Sequence, residues 1–208
     1  YPNGIPYGID GAENVIFRGI EFYAGAVGLF GTHRFTLEDC TFLFSTDNGG
    51  FNQNTPDLLY PSSMNQFLSG SRASVINCVF KYINDYPLNI NDCDSSLVEN
   101  CLFEYNDWTN GTHHWLWNGY STPCTVRYVT IQNSMSPGLF TGIGSLVEYC
   151  LIQNLYEGPT YDGEDGNMLD GASIQRNNAS TYLSTTRYCW IIHGGNINGF
   201  RFDSDPGG

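Results

Sequence analysis

Ser-Val-Ile-Asn-Cys-Val-Phe, at residues 74–80, is one of seven copies of a short strand-like phrase that recurs along the chain. The other copies lie at residues 15–22, 35–42, 97–103, 126–131, 146–152 and 186–191. Recurrence of one phrase indicates a repeat architecture, in which each copy supplies the same structural unit. Two intervals are longer than the rest, and they predict insertions at about residues 45–65 and 155–169.

Period-two alternation within the phrase assigns two aligned columns to one face of a strand, directed at the interior. The first column is Ile20, Cys40, Cys78, Cys101, Val129, Cys150 and Cys189. The second column, two residues later, is Phe22, Phe42, Phe80, Phe103, Ile131, Ile152 and Ile191. The residues between the two columns are expected to face outward.

A further short strand is predicted after each phrase, following a bend. The candidates are residues 27–30, 66–68, 88–90, 115–117, 138–140, 172–175 and 200–202. Gly, Asn, Asp or Pro flanks nearly every candidate, as turns require. No segment has the ten or more residues of amphipathic pattern that would predict a helix.

The phrase at 74–80, with Asn77 stacked on Asn100 at the bend, resembles the coils of right-handed parallel β-helices of the pectate-lyase-like superfamily. The resemblance covers about residues 13–203, and residues 170–203 resemble a motif of uncharacterised extracellular β-helix repeat proteins. It implies an all-β fold, a right-handed parallel β-helix (solenoid) of about seven to eight turns, as one domain over 1–208. It also implies an extracellular or cell-surface location.

The residues at the two ends of the sequence indicate which partners to expect. The chain opens at Tyr1 without a leader pattern, and residues 205–208 bring no terminating element, which predicts a piece of a longer protein. Residues 1–12 are too short and too rich in Gly and Pro to form a capping helix. Because the end strands of a solenoid need cover, the expected partners are other copies or domains of the same protein, through open coil ends.

Composition excludes several classes of partner. Eight Lys and Arg against 21 Asp and Glu give a net charge of −13, and Lys81 is the only lysine. Such a surface has no basic stripe to neutralise phosphates, so neither nucleic acid nor an anionic membrane is expected as a partner. No apolar run approaches the roughly 20 residues that a membrane span needs.

Seven cysteines fall into two groups. The five in the first column are predicted to be free, buried thiols, because in-register parallel strands seldom offer disulfide geometry. Cys93 and Cys124 instead lie in bends before phrases on neighbouring repeats. A bridge between them and two separate thiols are both open readings, and a bridge would imply an oxidising compartment.

Candidate chemistry on this fold begins with the base of a polysaccharide lyase, commonly Lys or Arg. The favoured reading of Lys81 is an ion pair with Glu104 on the next repeat. Glycosidases that resemble polygalacturonases rely on a cluster of aspartates with an Arg-x-Lys string, and this sequence lacks that pattern at the expected positions. A non-catalytic role is therefore favoured, and the alternative left open is a polysaccharide lyase or glycoside hydrolase.

The insertion before residue 170 holds an acidic cluster. Asp162, Glu164, Asp165 and Asp170 fall within nine residues, as a hard-cation site would need. A solvated acidic turn is favoured over a Ca²⁺ site, so no cofactor is predicted, with Ca²⁺ as the alternative. A groove beside this loop would be lined by the weak catalytic candidates Asp170, His193, Arg201 and Asp203, and a surface ladder of Arg and Asp is the simpler reading.

Three tryptophans and two sequons complete the candidates. Trp108, Trp115 and Trp117 are the carbohydrate-binding candidates, since exposed indoles stack on sugar faces. Whether Trp115 and Trp117 point outward or into the core is open. Asn110 and Asn178 begin N-glycosylation sequons in bends between strands.

Two functions follow from these observations. The favoured one is a non-catalytic structural or assembly module of an extracellular, glycosylated and filament-forming protein. The alternative is a carbohydrate-active domain that binds or cleaves a polysaccharide. A shared fold does not choose between them, because function resides in sites and not in the fold itself.

Overall fold

A computed structural model describes fourteen segments of the chain. They are residues 7–10, 12–24, 27–30, 33–44, 72–83, 87–90, 95–106, 116–117, 123–134, 139–141, 144–155, 169–171, 185–192 and 201–202. These segments contain β-strands and no helix, so the described fold is all-β, as the sequence predicts. Within them, no helix is long and apolar enough to cross a membrane.

The described strands are short, and they follow one another in a regular order. They are β1 (Tyr7–Asp10), β2 (Ile16–Arg18), β3 (Glu21–Tyr23), β4 (Val27–Phe30), β5 (Thr36–Glu38), β6 (Thr41–Leu43), β7 (Ser74–Ile76), β8 (Val79–Lys81), β9 (Leu88–Asn89), β10 (Ser96–Glu99), β11 (Leu102–Glu104), β12 (Leu116–Trp117), β13 (Cys124–Arg127), β14 (Thr130–Ser134), β15 (Leu139–Thr141), β16 (Leu146–Glu148), β17 (Leu151–Leu155), β18 (Leu169–Gly171), β19 (Thr185–Arg187), β20 (Trp190–Ile192) and β21 (Arg201–Phe202).

All strand pairs among these elements are parallel, and they build three principal sheets. Sheet I has the order β2-β5-β7-β10-β13-β16-β19, sheet II the order β3-β6-β8-β11-β14-β17-β20, and sheet III the order β9-β12-β15-β18-β21. β1 and β4 form a separate parallel pair. Each phrase supplies one strand to sheet I and the next to sheet II, so strands pair with their counterparts one repeat away. This order is compatible with a solenoid.

The phrase is two strands, and the prediction of one continuous strand is wrong. In the copy at 74–80, β7 ends at Ile76 and β8 begins at Val79, with the backbone of Asn77 in the left-handed region at φ 56°. The same corner position is left-handed in all seven copies: Gly19, Asp39, Asn77, Asn100, Tyr128, Tyr149 and Tyr188. A left-handed residue turns the chain sharply, so each phrase passes from sheet I to sheet II.

Side chains stabilise this corner in the middle copies, as the predicted stack of Asn77 on Asn100 requires. The amide of Asn100 donates to Asn77 Oδ1 at 2.8 Å, and the amide of Asn77 donates to Asp39 Oδ1 at 3.1 Å. Asn and Asp tolerate the left-handed conformation better than other residues with a Cβ atom. The ladder therefore confirms the stack and holds three consecutive corners in register.

The core contains both predicted columns. Phe42, Phe80 and Phe103 are fully buried, and their rings stack nearly parallel with centroids 4.7 to 4.9 Å apart. The cysteine column is buried through the middle of the chain, but Ile20 in the first phrase is 37% exposed. The columns are therefore interior wherever a repeat is covered on both sides.

A third interior column was not predicted. Five sheet I strands bury a further residue, at Leu37, Val75, Val98, Val126 and Val147, whereas the equivalent Thr186 of β19 is exposed. It lies three residues before the cysteine column, because the left-handed corner resets the alternation between the two strands. Period two holds within each strand and fails across the corner.

Sheet III matches most of the further strands that the sequence predicts. β9, β12, β15 and β21 fall within or overlap their predicted ranges. The strand that pairs with β15 is β18 at Leu169–Gly171, which begins inside the predicted insertion. The predicted strand at 172–175, like that at 66–68, lies outside the described residues. Leu169 is in register with Leu139.

Candidate functional site

The predicted groove residues are only partly described. Asp170 of β18 and Arg201 of β21 are register partners on neighbouring strands of sheet III. Asp170 is also in register with Phe140, and Phe140 is in register with Trp117. Three residues that the sequence nominated for ligand contact thus share one column of sheet III.

The other predicted site residues lie outside the described residues, and their roles stay predictions. They are Cys93, Trp108, Asn110, Trp115, Asp162, Glu164, Asp165, Asn178, His193 and Asp203. The Cys93–Cys124 bridge is untested for the same reason, although Cys124 itself is buried at the start of β13.

The favoured pairing of Lys81 is confirmed. Lys81 Nζ lies 2.7 Å from Glu104 Oε2 on the next repeat, and Glu104 is buried. Gln132 also donates to this carboxylate, at 2.7 Å from Oε1. Burial by itself would raise the pKa of Glu104, but the hydrogen bonds from Lys81 and Gln132 outweigh it and lower that pKa. Lys81 is held as an ion pair, which is a poor arrangement for a catalytic base.

The five cysteines of the first column are free thiols, as predicted. The thiols of Cys150 and Cys189 each donate to a backbone carbonyl two residues earlier, Glu148 O and Arg187 O, both at 3.3 Å. The neighbouring Cys189 thiol and burial raise the pKa of Cys150, while the neighbouring Cys150 thiol lowers the pKa of Cys189 to about 7. Cys189 is half-buried, so it is the accessible member of the pair.

A ladder of Arg and Glu side chains, interrupted at Ile76, runs along the outer face of sheet I, next to the corner. Its register column is Arg18, Glu38, Ile76, Glu99, Arg127, Glu148 and Arg187. Arg127 Nη2 lies 2.9 Å from Glu99 Oε2, and Arg187 Nε lies 2.8 Å from Glu148 Oε2. These pairs hold neighbouring repeats together, and each is worth little where it is exposed.

A tyrosine ladder occupies the corner of the last three described repeats. Tyr128, Tyr149 and Tyr188 stack with centroids 5.2 and 5.0 Å apart. The Arg187 guanidinium carbon lies 5.7 Å from the centroid of the Tyr188 ring. Trp190, two residues on, is 69% exposed. Aromatic and cationic groups thus share the outer surface at this end of sheets I and II.

Sequence reasoning missed this ladder, although its signal is present. Tyrosine follows a charged ladder residue and precedes the first interior column in Arg-Tyr-Val at 127–129, Glu-Tyr-Cys at 148–150 and Arg-Tyr-Cys at 187–189. Alternation within the phrase predicts the core positions and assigns no role to the corner position between the two strands. An outer residue repeated at a fixed position of three copies predicts an external stack.

A second aromatic stack lies at the corner that follows sheet II, in earlier repeats. Phe44, Tyr82 and Tyr105 stack with centroids 4.8 and 5.5 Å apart, and each has a left-handed backbone. In later repeats the same corner holds an amide ladder, in which Asn154 donates to Asn133 Oδ1 at 3.2 Å. The two corners therefore exchange aromatic and amide character midway along the chain.

Exposed large apolar side chains are concentrated at the two ends of sheets I and II. Among the described residues, the end repeats expose Ile16, Ile20, Tyr23, Tyr188, Trp190 and Ile192. The remaining exposed ones are the aromatic residues of the two corner stacks. Apolar exposure of this kind marks contact surfaces more often than free surface.

Within the described segments, no three His, Cys, Asp or Glu side chains come together as a metal site would require. The described residues thus form laddered repeats with apolar side chains exposed at the ends and an aromatic, charged outer surface. Comparison with protein-family models, curated proteins and solved structures finds no match to this chain.

Proposed function

We propose that the chain winds as a right-handed parallel β-helix of seven to eight turns, similar to the pectate-lyase-like superfamily. The fixed order in which the chain visits sheets I, II and III supports a coil. Connections between parallel strands of one sheet are right-handed in about 98% of cases, which supports the hand. The single domain over 1–208 belongs to the same proposal.

The function that the geometry supports best is a non-catalytic structural or assembly module of an extracellular protein, which forms filaments by contacts at its coil ends. The observation that carries this proposal is the apolar exposure of the end strands. Trp190 is 69% exposed on β20, whereas its register partner Leu151, one repeat inward, is half-buried. A strand edge with apolar neighbours is a template for pairing with further chain.

The long-range organisation supports the same proposal. Side chains on the outer faces pair along the stack, from one repeat to the next, in the manner of Lys81 with Glu104 and Arg187 with Glu148. Such ladders strengthen an axial array, whose stability is a sum of contacts between neighbouring repeats. In a module of this type, each repeat is stabilised by its contacts with the neighbouring repeats.

Electron microscopy and light scattering of the purified chain, over a range of concentrations, test the assembly function. The end variant Trp190→Ser/Ile192→Ser is expected to lose association. The matched control Tyr105→Ser removes an exposed aromatic side chain from the middle of the stack and is expected to associate like the wild type. Wild-type protein that stays monomeric at all concentrations, or an end variant that associates normally, would contradict the proposal.

A carbohydrate-active domain is the second candidate, and the cluster of Arg187, Tyr188 and Trp190 favours it. Tyr188 is 63% exposed beside the exposed indole. Aromatic rings next to a guanidinium offer stacking faces and hydrogen-bond donors to a sugar. Asp170 and Arg201, as register partners, support the groove at sheet III.

Binding to a panel of neutral and acidic polysaccharides tests the second candidate. Loss of binding in Trp190→Ala, with binding retained in Tyr105→Ala, would assign sugar contact to the end cluster. Loss in Asp170→Ala or Arg201→Ala would assign it to the groove. The same titrations with and without Ca²⁺ test the acidic cluster at 162–165, and mass spectrometry of secreted protein tests Asn110 and Asn178 for glycans.

A further inference from the structure

The last described repeat, β19 and β20, is more exposed than the repeat before it. β19 and β20 are the outermost described strands of sheets I and II. Their core residues Cys189 and Ile191 are half-buried, although the equivalent Cys150 and Ile152 one repeat earlier are buried. The register of sheet II aligns Ile191 with Ile152, so the two residues occupy equivalent positions in neighbouring repeats.

The charge ladder shows which charge is missing on that outer side. Arg127 is in register with Glu99 on one side and Glu148 on the other, and both carboxylates raise its pKa. Arg187 is in register with Glu148 on one side, and its side chain is 52% exposed. An acidic group at the next register position would give Arg187 the same two neighbours that Arg127 has.

The first repeat of a second copy does not supply that group. Stacked head to tail in continuous register, it would place Arg18 opposite Arg187 and Gly19 opposite Tyr188. Like charges directly opposite each other in neighbouring strands are destabilising. Glycine at the corner would also leave the tyrosine ladder without its next ring.

We propose that β19 and β20 form a docking edge for a parallel strand pair of a partner that carries a carboxylate in register with Arg187 and apolar residues in register with Trp190 and Ile191. This inference goes beyond the proposed function: it keeps the coil end as the contact surface and gives it a partner other than a head-to-tail copy of this chain. The recognition mode is strand addition, in which backbone hydrogen bonds supply affinity and side-chain pairs supply specificity. The partner repeat differs from the first repeat of this chain, because direct head-to-tail stacking in continuous register is disfavoured.

The chain itself contains a strand pair with the required pattern, and it can serve as the probe. Residues 144–155 carry Glu148 in the ladder column, Tyr149 at the corner and Ile152 in the core. A fluorescent peptide of this sequence, with Cys150→Ser to prevent oxidation, is titrated with the intact 208-residue protein and followed by anisotropy. A matched peptide with the additional change Glu148→Arg carries the wrong charge.

The Glu148 peptide is expected to bind roughly tenfold more tightly than the Glu148→Arg peptide at low salt, with a smaller ratio at high salt. In the chain variant Arg187→Gln, checked for folding by circular dichroism, the two peptides are expected to bind alike. Equal affinities for the wild-type chain, binding of neither peptide, or a preserved ratio in Arg187→Gln would overturn the inference.

The outcome of the peptide titration can be distinguished from the outcome of the assembly test. If the wild-type chain associates by its ends but does not discriminate between the peptides, the docking inference fails and the proposed function stands. If the peptides are discriminated but the chain alone stays monomeric, the edge binds a heterologous strand pair, and the proposed self-assembly into filaments fails.

Discussion

Replacing Phe80 by alanine removes the central ring of the interior stack. Phe80 is fully buried, and its ring lies 4.9 Å from that of Phe42 and 4.7 Å from that of Phe103, with interplanar angles of 2° and 4°. The ring therefore has an aromatic neighbour on both sides. Its removal opens a cavity between two repeats whose backbones are fixed by parallel pairing.

The expected loss follows from cavity and stacking contributions. A buried Phe→Ala change costs about 3–5 kcal/mol, and an aromatic pair contributes about 0.5–1.5 kcal/mol beyond its buried area. With two stacked neighbours and no exposure, Phe80→Ala should fall at about 4–5 kcal/mol. Phe22 belongs to the first repeat, stacks face to face on Phe42 and is 9% exposed, so Phe22→Ala should cost less, about 2–3 kcal/mol.

Urea unfolding followed by circular dichroism and tryptophan fluorescence measures both differences. Coincident curves from the two probes and an unchanged m-value are needed before free energies are compared. Phe80→Leu, which keeps the site apolar, serves as the conservative control at about 1–1.5 kcal/mol. If Phe22→Ala costs as much as Phe80→Ala, or if Phe80→Ala costs less than Phe80→Leu, position in the stack does not govern stability.

Three other properties follow from the described contacts. In urea unfolding, Asn100→Ala should cost about 2 kcal/mol and Asn100→Gly about 1 kcal/mol. Glycine adopts the backbone φ of 53° without strain, so the Gly variant loses only the hydrogen bond to Asn77. Equal losses in the two variants would contradict the role of the left-handed corner. The folded-state pKa of Glu104 is lowered, so the stabilisation by its carboxylate is complete above the ordinary pKa of about 4.3 and is lost as pH falls through the folded-state value. The unfolding free energy of Glu104→Gln should therefore fall less steeply in acid than that of the wild type. Parallel pH profiles of the two proteins would count against the ion pair. Iodoacetamide should label Cys189 in the folded protein near neutral pH and spare Cys150, as peptide mapping by mass spectrometry can check, whereas prior labelling of Cys150 would be inconsistent with its burial.

Residue spacing was enough to predict the repeats and much of the core. Phe42, Phe80 and Phe103 share a column because they stand at one offset in aligned phrases, and the structure stacks them in that order. Lys81 and Glu104 were paired for the same reason, since each follows the phenylalanine of its phrase by one residue. In a repeat protein, the alignment of the copies in sequence also predicts which residues pair in register on neighbouring strands.

Spacing failed where the backbone changes direction. The corner residues include Asp39, Asn100 and Tyr149, which share no side-chain type, so no residue pattern marks the left-handed conformation in every copy. The valine column of sheet I was missed because its offset from the cysteines is three and not two. The tyrosine ladder at this corner was missed because the position was treated as a simple bend.

The candidate site divides in the same way. Chemical signatures proposed Asp170 and Arg201 from the sequence, and pairing of β18 with β21 brings their backbones into register. The end cluster of Arg187, Tyr188 and Trp190 could not be singled out from the sequence, because what distinguishes it is the exposure of its side chains in the folded structure.

The sequence by itself determined the all-β class, the number and offset of the repeated phrases, the interior phenylalanine column and the acidic charge, because each is a property of composition or periodicity. Only the tertiary structure decided that each phrase splits between two sheets, which outer ladders form and which apolar residues remain exposed at the ends. Those features depend on left-handed corners such as Asn77 and on contacts between residues 20 to 40 positions apart, which parallel pairing alone brings together.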